Sequence, residues 1–367
     1  MTTVAQTVIR APAPAKLNLF LHVLGQRADG YHLLQTAFTL VDWQDELCFK
    51  RRDDGQIMRL NDMPGVAPEE DLVVRAARLL QTHTGTHLGA EIHVDKQLPS
   101  GAGLGGGSSD AATTLMSLNY LWQTGLSDAE LAELGVQLGA DVPVFIFGQD
   151  AFAQGIGEEL QALNLVPQAY VLIQPDLAIP TPAIFKAPQL KRDTVEQSFA
   201  QVEQGLQSMQ AVNQEPEQGL QSRQVVNQEL EQGLQSRQAI NQALEQGQGS
   251  PQQVLGVPNE QSRTLSASLN IRYYGHNDLE KVALLLYPAL QHLVHALHQQ
   301  GWPVRMTGSG SCFFLPVKDI QQAHEVALQV RSWADTWQTQ SADHLAIKYV
   351  QVCQSLQAHP IKALLGG

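Results

Sequence analysis

Pro99-Ser-Gly-Ala-Gly-Leu-Gly-Gly-Gly-Ser-Ser-Asp110 sets five glycines among twelve residues, between a β-prone run and an apolar helical one. Where Cβ atoms are missing, backbone N–H groups can turn inward and approach anionic oxygens, and a following helix adds its N-terminal partial charge and free donors. The segment therefore points to phosphate binding through Pro99, Gly101, Gly103, Leu104, Gly105, Gly106, Gly107, Ser108 and Ser109. Ser108 and Ser109 are expected to cap that helix or to touch a nucleotide-bound Mg²⁺. Gly101-x-Gly103-x-x-Gly106 also fits a dinucleotide fingerprint, but a second helix is expected at Ser127 to Leu138, where such a unit needs a strand ending in an acidic ribose ligand. No lysine follows a glycine, so a P-loop cannot be written anywhere, and neither H-R-D nor D-F-G is present to support a protein-kinase reading.

The elements that must position this loop are legible in outline. Lys16 to Gly25 alternates like a strand, with Leu17, Leu19 and Leu21 on one face and Lys16, Asn18 and Phe20 on the other. A turn at Arg27 to His32 leads to strand-like runs at Gln35 to Val41 and Glu46 to Phe49. Asp71 to His83 reads as a helix with Asp71 as its cap, and Glu91 to Val94 as the strand before the loop. Helices are expected at Asp110 to Leu121 and Ser127 to Leu138, followed by Gly139-Ala-Asp-Val-Pro143 and a β-like Val144 to Phe147. Further on come strands at Tyr170 to Ile173, Val304 to Thr307, Cys312 to Val317 and Lys348 to Val352, and helices around Leu279 to Gln299 and at Ile320 to Trp333. Strands and helices that do not strictly alternate indicate an α+β fold. A chain of 367 residues is long enough for two cores, and the division is expected at 1–167 and 168–367.

Composition narrows the functions open to the chain. A formal net charge of -13 disfavours nucleic-acid binding, so any phosphate must be gripped locally. No window approaches the roughly 18 uninterrupted apolar residues of a membrane helix. The most apolar helical stretch, Val282 to Leu297, is broken by Pro288, Gln291, His292 and His295. Met1 to Pro14 lacks the apolar core of a signal peptide, so a cytoplasmic location is expected. The 3 cysteines, Cys48, Cys312 and Cys353, form no C-x-x-C pair and read as buried thiols.

Between the halves, Glu203-Gln-Gly-Leu-Gln-Ser recurs at Glu217 and Glu231, with a decayed fourth copy at Glu245, each step being 14 residues. Leu206, Leu220 and Leu234 would line one side of a helix, but a glycine in every copy costs roughly 1 kcal/mol in a helix interior. The expectation is a mostly disordered or weakly helical Gln-rich insertion at about 195–262.

Pro14-Ala-Lys-Leu-Asn18, the Pro99 to Ser109 loop and Met306-Thr-Gly-Ser-Gly-Ser-Cys312 stand in the order of the three motifs of the galactokinase, homoserine kinase, mevalonate kinase and phosphomevalonate kinase superfamily, which the chain resembles. Gly25 to His32, Gly139-Ala-Asp-Val-Pro-Val-Phe145 and Ile179-Pro-Thr-Pro182 resemble the branch that phosphorylates a cytidine-diphosphate-linked sugar alcohol on the non-mevalonate route to isoprenoids. The resemblance implies a first lobe like a ribosomal-protein domain, a second that is ferredoxin-like, and ATP with Mg²⁺ meeting a small-molecule acceptor between them. It implies Asp141 as general base toward the acceptor's 2-hydroxyl and Lys16 beside it as catalytic cation. It further implies substrate contacts from Asn18, Tyr31, His32, Thr181 and Phe185, with Tyr31 and Phe185 walling the cytosine. Asp71 departs from the family pattern, which commonly has asparagine there near the adenine, and the repeat lengthens the linker after Lys191. The competing readings are a silent sensor on the same fold and a related kinase for another small alcohol.

Overall fold

Two long strands organise the computed structural model, which describes residues 8–61, 66–67, 70–214, 271–340 and 344–365. β1 (Val8–Gln26) and β2 (His32–Arg52) pair antiparallel across the turn in which Arg27 N donates to Tyr31 O at 2.7 Å. The two strand-like runs expected between Gln35 and Phe49 are thus one strand. Register shifts at Pro14/Ala15, Asn18/Phe20 and Val23/Gly25 bend β1, so that leucines and Phe20 on both of its faces are buried.

Ten strands of the described residues join one mixed sheet. β3 (Ile57–Arg59) runs parallel to β4 (Gly89–Asp95), which pairs with the far half of β2. β5 (Ala151–Gln154) pairs with β2 at Thr36 to Phe38 and with β6 (Glu159–Ala162). β7 (Ala169–Pro175), β8 (Arg305–Met306), β9 (Phe313–Val317) and β10 (Ile347–Leu356) form the other end, and β10 reaches back to Leu40 and Val41 of β2.

On the first end lie α1 (Leu72–Thr84), α2 (Gly106–Trp122), α3 (Asp128–Val136) and α4 (Val142–Phe147), with α10 (Pro360–Leu365) returning from the chain's end. Their core joins Phe38 and Leu40 of β2 to Leu80, Leu115, Phe145 and Ile361. α5 (Thr181–Lys186), α7 (Asp278–Leu286), α8 (Pro288–Gln299) and α9 (Ile320–Gln340) cover β7 and β9, and Leu21 and Val23 of β1 belong to that second core. A third cluster between them holds Leu17, Phe20, Leu104, Phe152, Tyr170 and Phe314. Burying Leu104 contributes about 2 kcal/mol and anchors the glycine loop from below.

Three expectations are corrected. Val144 to Phe147 is helical, in α4: five consecutive buried residues give no alternation to read, Pro143 sets a helical φ in the first turn, and Gly148 at φ 73° ends it. The first copy of the repeat is also helical, in α6 (Phe199–Gln214), because Gly205 lies where the Tyr274 ring comes against the helix. The later copies lie outside the described residues. Cys48 is only half-buried, whereas Cys312 and Cys353 are buried as expected. Among the described residues, no helix is long and apolar enough to cross a membrane.

Candidate active site

Three chain segments meet through their backbones. Lys16 N donates to Leu104 O at 3.0 Å, Cys312 N to Ala102 O at 3.1 Å, and Asn18 N to Thr307 Oγ1 at 2.8 Å. The two glycine loops touch so closely that a Cβ on Gly103, which sits at φ +77°, would fall 2.4 Å from Thr307 O. A Cβ on Gly308 would stand 3.2 Å from Asn18 Oδ1 and 3.3 Å from Lys16 Nζ. Asn277 steadies the second loop from beneath, donating from Nδ2 to Met306 O at 2.9 Å and Gly308 O at 2.8 Å while its Oδ1 caps α7.

Lys16 is 3% exposed. Its Nζ donates to Asn18 Oδ1 at 2.5 Å, lies 5.4 Å from the centre of the Phe38 ring, and stands 3.5 Å from Asp141 Oδ2. A buried ammonium requires a counter-charge, and Asp141, half-exposed at the start of α4, supplies it. Asn18 is fixed in turn because its Nδ2 donates to Thr36 Oγ1 at 2.9 Å, which donates to Phe20 O. Lys16, Asn18 and Asp141 are therefore gathered in one place.

α2 starts inside the glycine loop, four residues earlier than expected, with Gly105 as its cap at φ 74°. Ser108 and Ser109 lie within the first turn, so the expectation that one of them caps the helix is corrected. Gly106, Gly107 and Ser108 precede the first helical bond, Ser109 N to Gly105 O at 2.9 Å, and their amides open the helix's positive end. Ser108 Oγ lies near Gly139, beside the Asp141 segment, whereas Ser109 is fully buried and its Oγ has no partner. Pro99, Gly101 and Gly107 lie along the loop's outer course, with Gly101 O accepting from Ile179 N at 3.4 Å. Below the loop, Lys96 Nζ bridges Asp110 Oδ2 at 2.8 Å and Asp45, whose Oδ1 also accepts from Gln97 N and Leu98 N at 2.6 and 2.8 Å. Burial drives the Asp110 carboxyl well above the usual range, and Lys96 opposes that rise. Asp71 caps α1 through Val73 N at 2.9 Å and pairs with Arg59 Nη1 at 2.5 Å.

The residues expected to hold the acceptor form a second group. His32 is buried, its ring centre is 5.0 Å from that of Phe185 with the planes tilted by 36°, and its Nε2 accepts from Arg192 Nε at 3.0 Å. Burial and the Arg192 charge both lower the pKa of His32. Tyr31 stands at the rim, 58% exposed. Thr181, at the start of α5, shares a hydrogen bond of 2.7 Å with Ser309 of the second glycine loop, joining this second group to the glycine loops.

Sequence reasoning missed Lys96, Arg192 and Asn277 as parts of this arrangement. A lysine three residues ahead of Pro99 was a usable signal for the first. Arg192 is held by the carbonyls of Phe185, Ala187 and Leu190, and Asn277 grips two loop carbonyls, which no side-chain pattern announces.

Residues 71–149 match the model of the GHMP kinases N terminal domain, and residues 260–336 that of the GHMP kinases C terminal. The homoserine kinase of Cytophaga hutchinsonii, 15% identical, shares the fold with a TM-score of 0.57 and covers 98% of each chain. The two matched domains and the fold are those of a GHMP kinase. The 4-diphosphocytidyl-2-C-methyl-D-erythritol kinase of Bordetella bronchiseptica is 42% identical over 360 residues, 97% of this chain and 98% of its own length. That of Azoarcus sp. is 41% identical over 363 residues, 99% of each. A crystal structure of 4-(cytidine 5'-diphospho)-2C-methyl-D-erythritol kinase gives a TM-score of 0.62 at 28% identity, covering 94% of this chain and 99% of that one. The chain belongs to the 4-diphosphocytidyl-2-C-methyl-D-erythritol kinase family.

Proposed function

We propose that the chain transfers the γ-phosphoryl group of ATP to the 2-hydroxyl of 4-diphosphocytidyl-2-C-methyl-D-erythritol, in the cytoplasm, as a step of the non-mevalonate route to isoprenoid precursors. The observation that carries the reading is the Lys16 Nζ to Asp141 Oδ2 separation of 3.5 Å beside the opening of α2. Direct charge-assisted bonds run about 2.7–2.9 Å, so this pair is close enough to couple and open enough for both groups to address one hydroxyl.

The acceptor oxygen attacks the γ-phosphorus while its proton passes to the Asp141 carboxylate, and the bond from the γ-phosphorus to the bridging oxygen breaks to release ADP. Lys16, held by Asn18, stabilises charge on the transferring group. The amides from Gly101 to Ser108 and the positive end of α2 receive the ATP phosphates. Among the described residues there is no group of three His, Cys, Asp or Glu side chains suited to a metal cage. Ser108, the hydroxyl at the helix start, would help to hold a Mg²⁺ brought in with the nucleotide. The ion supplies charge neutralisation.

Phe185 and His32 form a rigid wall for the cytosine, with Tyr31 at the rim as the opposing face and Thr181 toward the diphosphate. Residues 1–167 act as the ATP-binding lobe and 168–367 as the second lobe. The product identifies the reaction: mass spectrometry and ³¹P NMR after incubation with ATP and Mg²⁺ are expected to show one added phosphoryl group on the 2-oxygen. Phosphate at another oxygen, or an unchanged acceptor, refutes the proposal.

A further inference from the structure

α6 is held in place by the residues that the 14-residue repeat conserves along this chain. Val202 and Leu206 are buried, and a Cβ on Gly205 would fall 2.1 Å from the Tyr274 ring. Glu203 accepts from Asn164 N at 3.1 Å, and Gln207 donates to Asn164 O at 2.8 Å. Gln210 bonds both backbone groups of Val166, at 3.0 and 3.1 Å, and Gln214 donates to Pro167 O at 3.0 Å. Asn213 bonds both backbone groups of Arg272, at 3.1 and 2.9 Å. These polar contacts reach only main chain, so the receiving surface asks for amide and carboxylate side chains at this spacing, one glycine and one leucine.

The second and third copies keep that set. The third supplies Glu231, Gly233, Leu234, Gln235, Gln238, Asn241 and Gln242 at the matching places. The second keeps the same seven residue types, but Pro216 stands where Val202 does, and Val202 N donates to Ser198 O at 3.1 Å, a bond that proline cannot make. The third has Leu230 there and so keeps both the donor and the apolar side chain. Arg237 replaces the half-buried Met209, and its aliphatic stem can cover the same surface. Asn227 replaces Phe199, whose ring lies 6.1 Å from that of Phe152, which favours the first copy as resident.

We propose that the groove under α6, formed by the backbone of residues 164–167 and 272 and the Tyr274 ring, is a docking site for the repeat itself, and that the third copy of the same chain takes it when the first is withdrawn. Residues 199–226 would then bridge from Ser198, and 28 residues, 243–270, would remain before Ile271. The entropic cost of such loops grows only slowly with length, and a tethered copy outcompetes one on another molecule through its effective concentration.

Crosslinking in the full-length chain tests this. In a Cys48→Ser background, Asn164→Cys is paired with Gln207→Cys or Gln235→Cys. With the first copy intact, mild oxidation is expected to trap the 164–207 bond. When Gly205→Val and Leu206→Asp disable the first copy, a 164–235 bond within one chain is expected, and Leu234→Asp abolishes it. Melting supplies the second readout: Leu206→Asp and Leu234→Asp together are expected to lower the melting temperature by more than the sum of the single changes. Absence of the 164–235 bond, a bond only between two chains, additive melting losses, or failure of the first-copy variant to fold overturns the proposal.

Discussion

At the scale of single residues, the proposed chemistry rests on Asp141 and Lys16, whose charges are separable by substitution. Asp141→Asn keeps the shape and removes the proton acceptor, so kcat is expected to fall by about 10²–10⁴ with the KM for ATP little changed. Steady-state kinetics in both substrates checks it; an unchanged kcat would remove Asp141 from the reaction. Arg192 acts through another residue, holding His32 beside Phe185. Arg192→Met is expected to raise the KM for the cytidine substrate about tenfold, the value of a lost hydrogen bond to a charged group, with kcat nearly constant. A loss confined to kcat would contradict a positioning role. Lys16, Asn18 and Asp141 were legible because each stands in a short motif of unusual composition. Arg192 was not, since its partners, apart from His32, are main-chain carbonyls.

At the scale of elements, the glycine loops owe their contact to missing side chains. Gly103→Ala places a Cβ 2.4 Å from Thr307 O at a φ of +77°, and is expected to lower the melting temperature by about 5 °C or more. Gly107→Ala, whose Cβ would meet Leu72 Cδ1 at 3.4 Å, is expected to leave it nearly unchanged, and equal losses in the two variants would contradict this. On β1, His22 is buried with both ring nitrogens unpartnered. Burial first, then the charge of His276, lowers its pKa from 6.5 to about 4, with Arg305 and Lys191 adding to the shift and Asp278 opposing it. The unfolded chain therefore takes up the proton first, and stability present above pH 6.5 drains away as pH falls toward 4. His22→Phe is expected to flatten the urea midpoint over that window; an equal slope in both proteins would exclude His22 as the cause. Long alternating or amphipathic elements were legible in the sequence. α4 and α6 were not, because one is apolar throughout and the other's glycine is explained only by a tyrosine 69 positions away, at Tyr274.

At the scale of the molecule, the α+β class could be read from strands and helices that fail to alternate. The crossing of the chain's ends could not: Ser355 and Leu356 pair with Val41 and Leu40, and Ile361 enters the first core, without any local mark in the sequence. The whole arrangement sets the two glycine loops against the group around His32 and Phe185, with Thr181 and Ser309 linking the two. Selectivity is where that arrangement is tested most directly. Initial rates of ADP release with ATP and Mg²⁺ compare 4-diphosphocytidyl-2-C-methyl-D-erythritol with homoserine and mevalonate, alongside Asp141→Asn. Turnover with the cytidine-linked acceptor alone, lost in the Asp141 variant, is the expected result; comparable turnover with homoserine or mevalonate, or full activity in the variant, would contradict it.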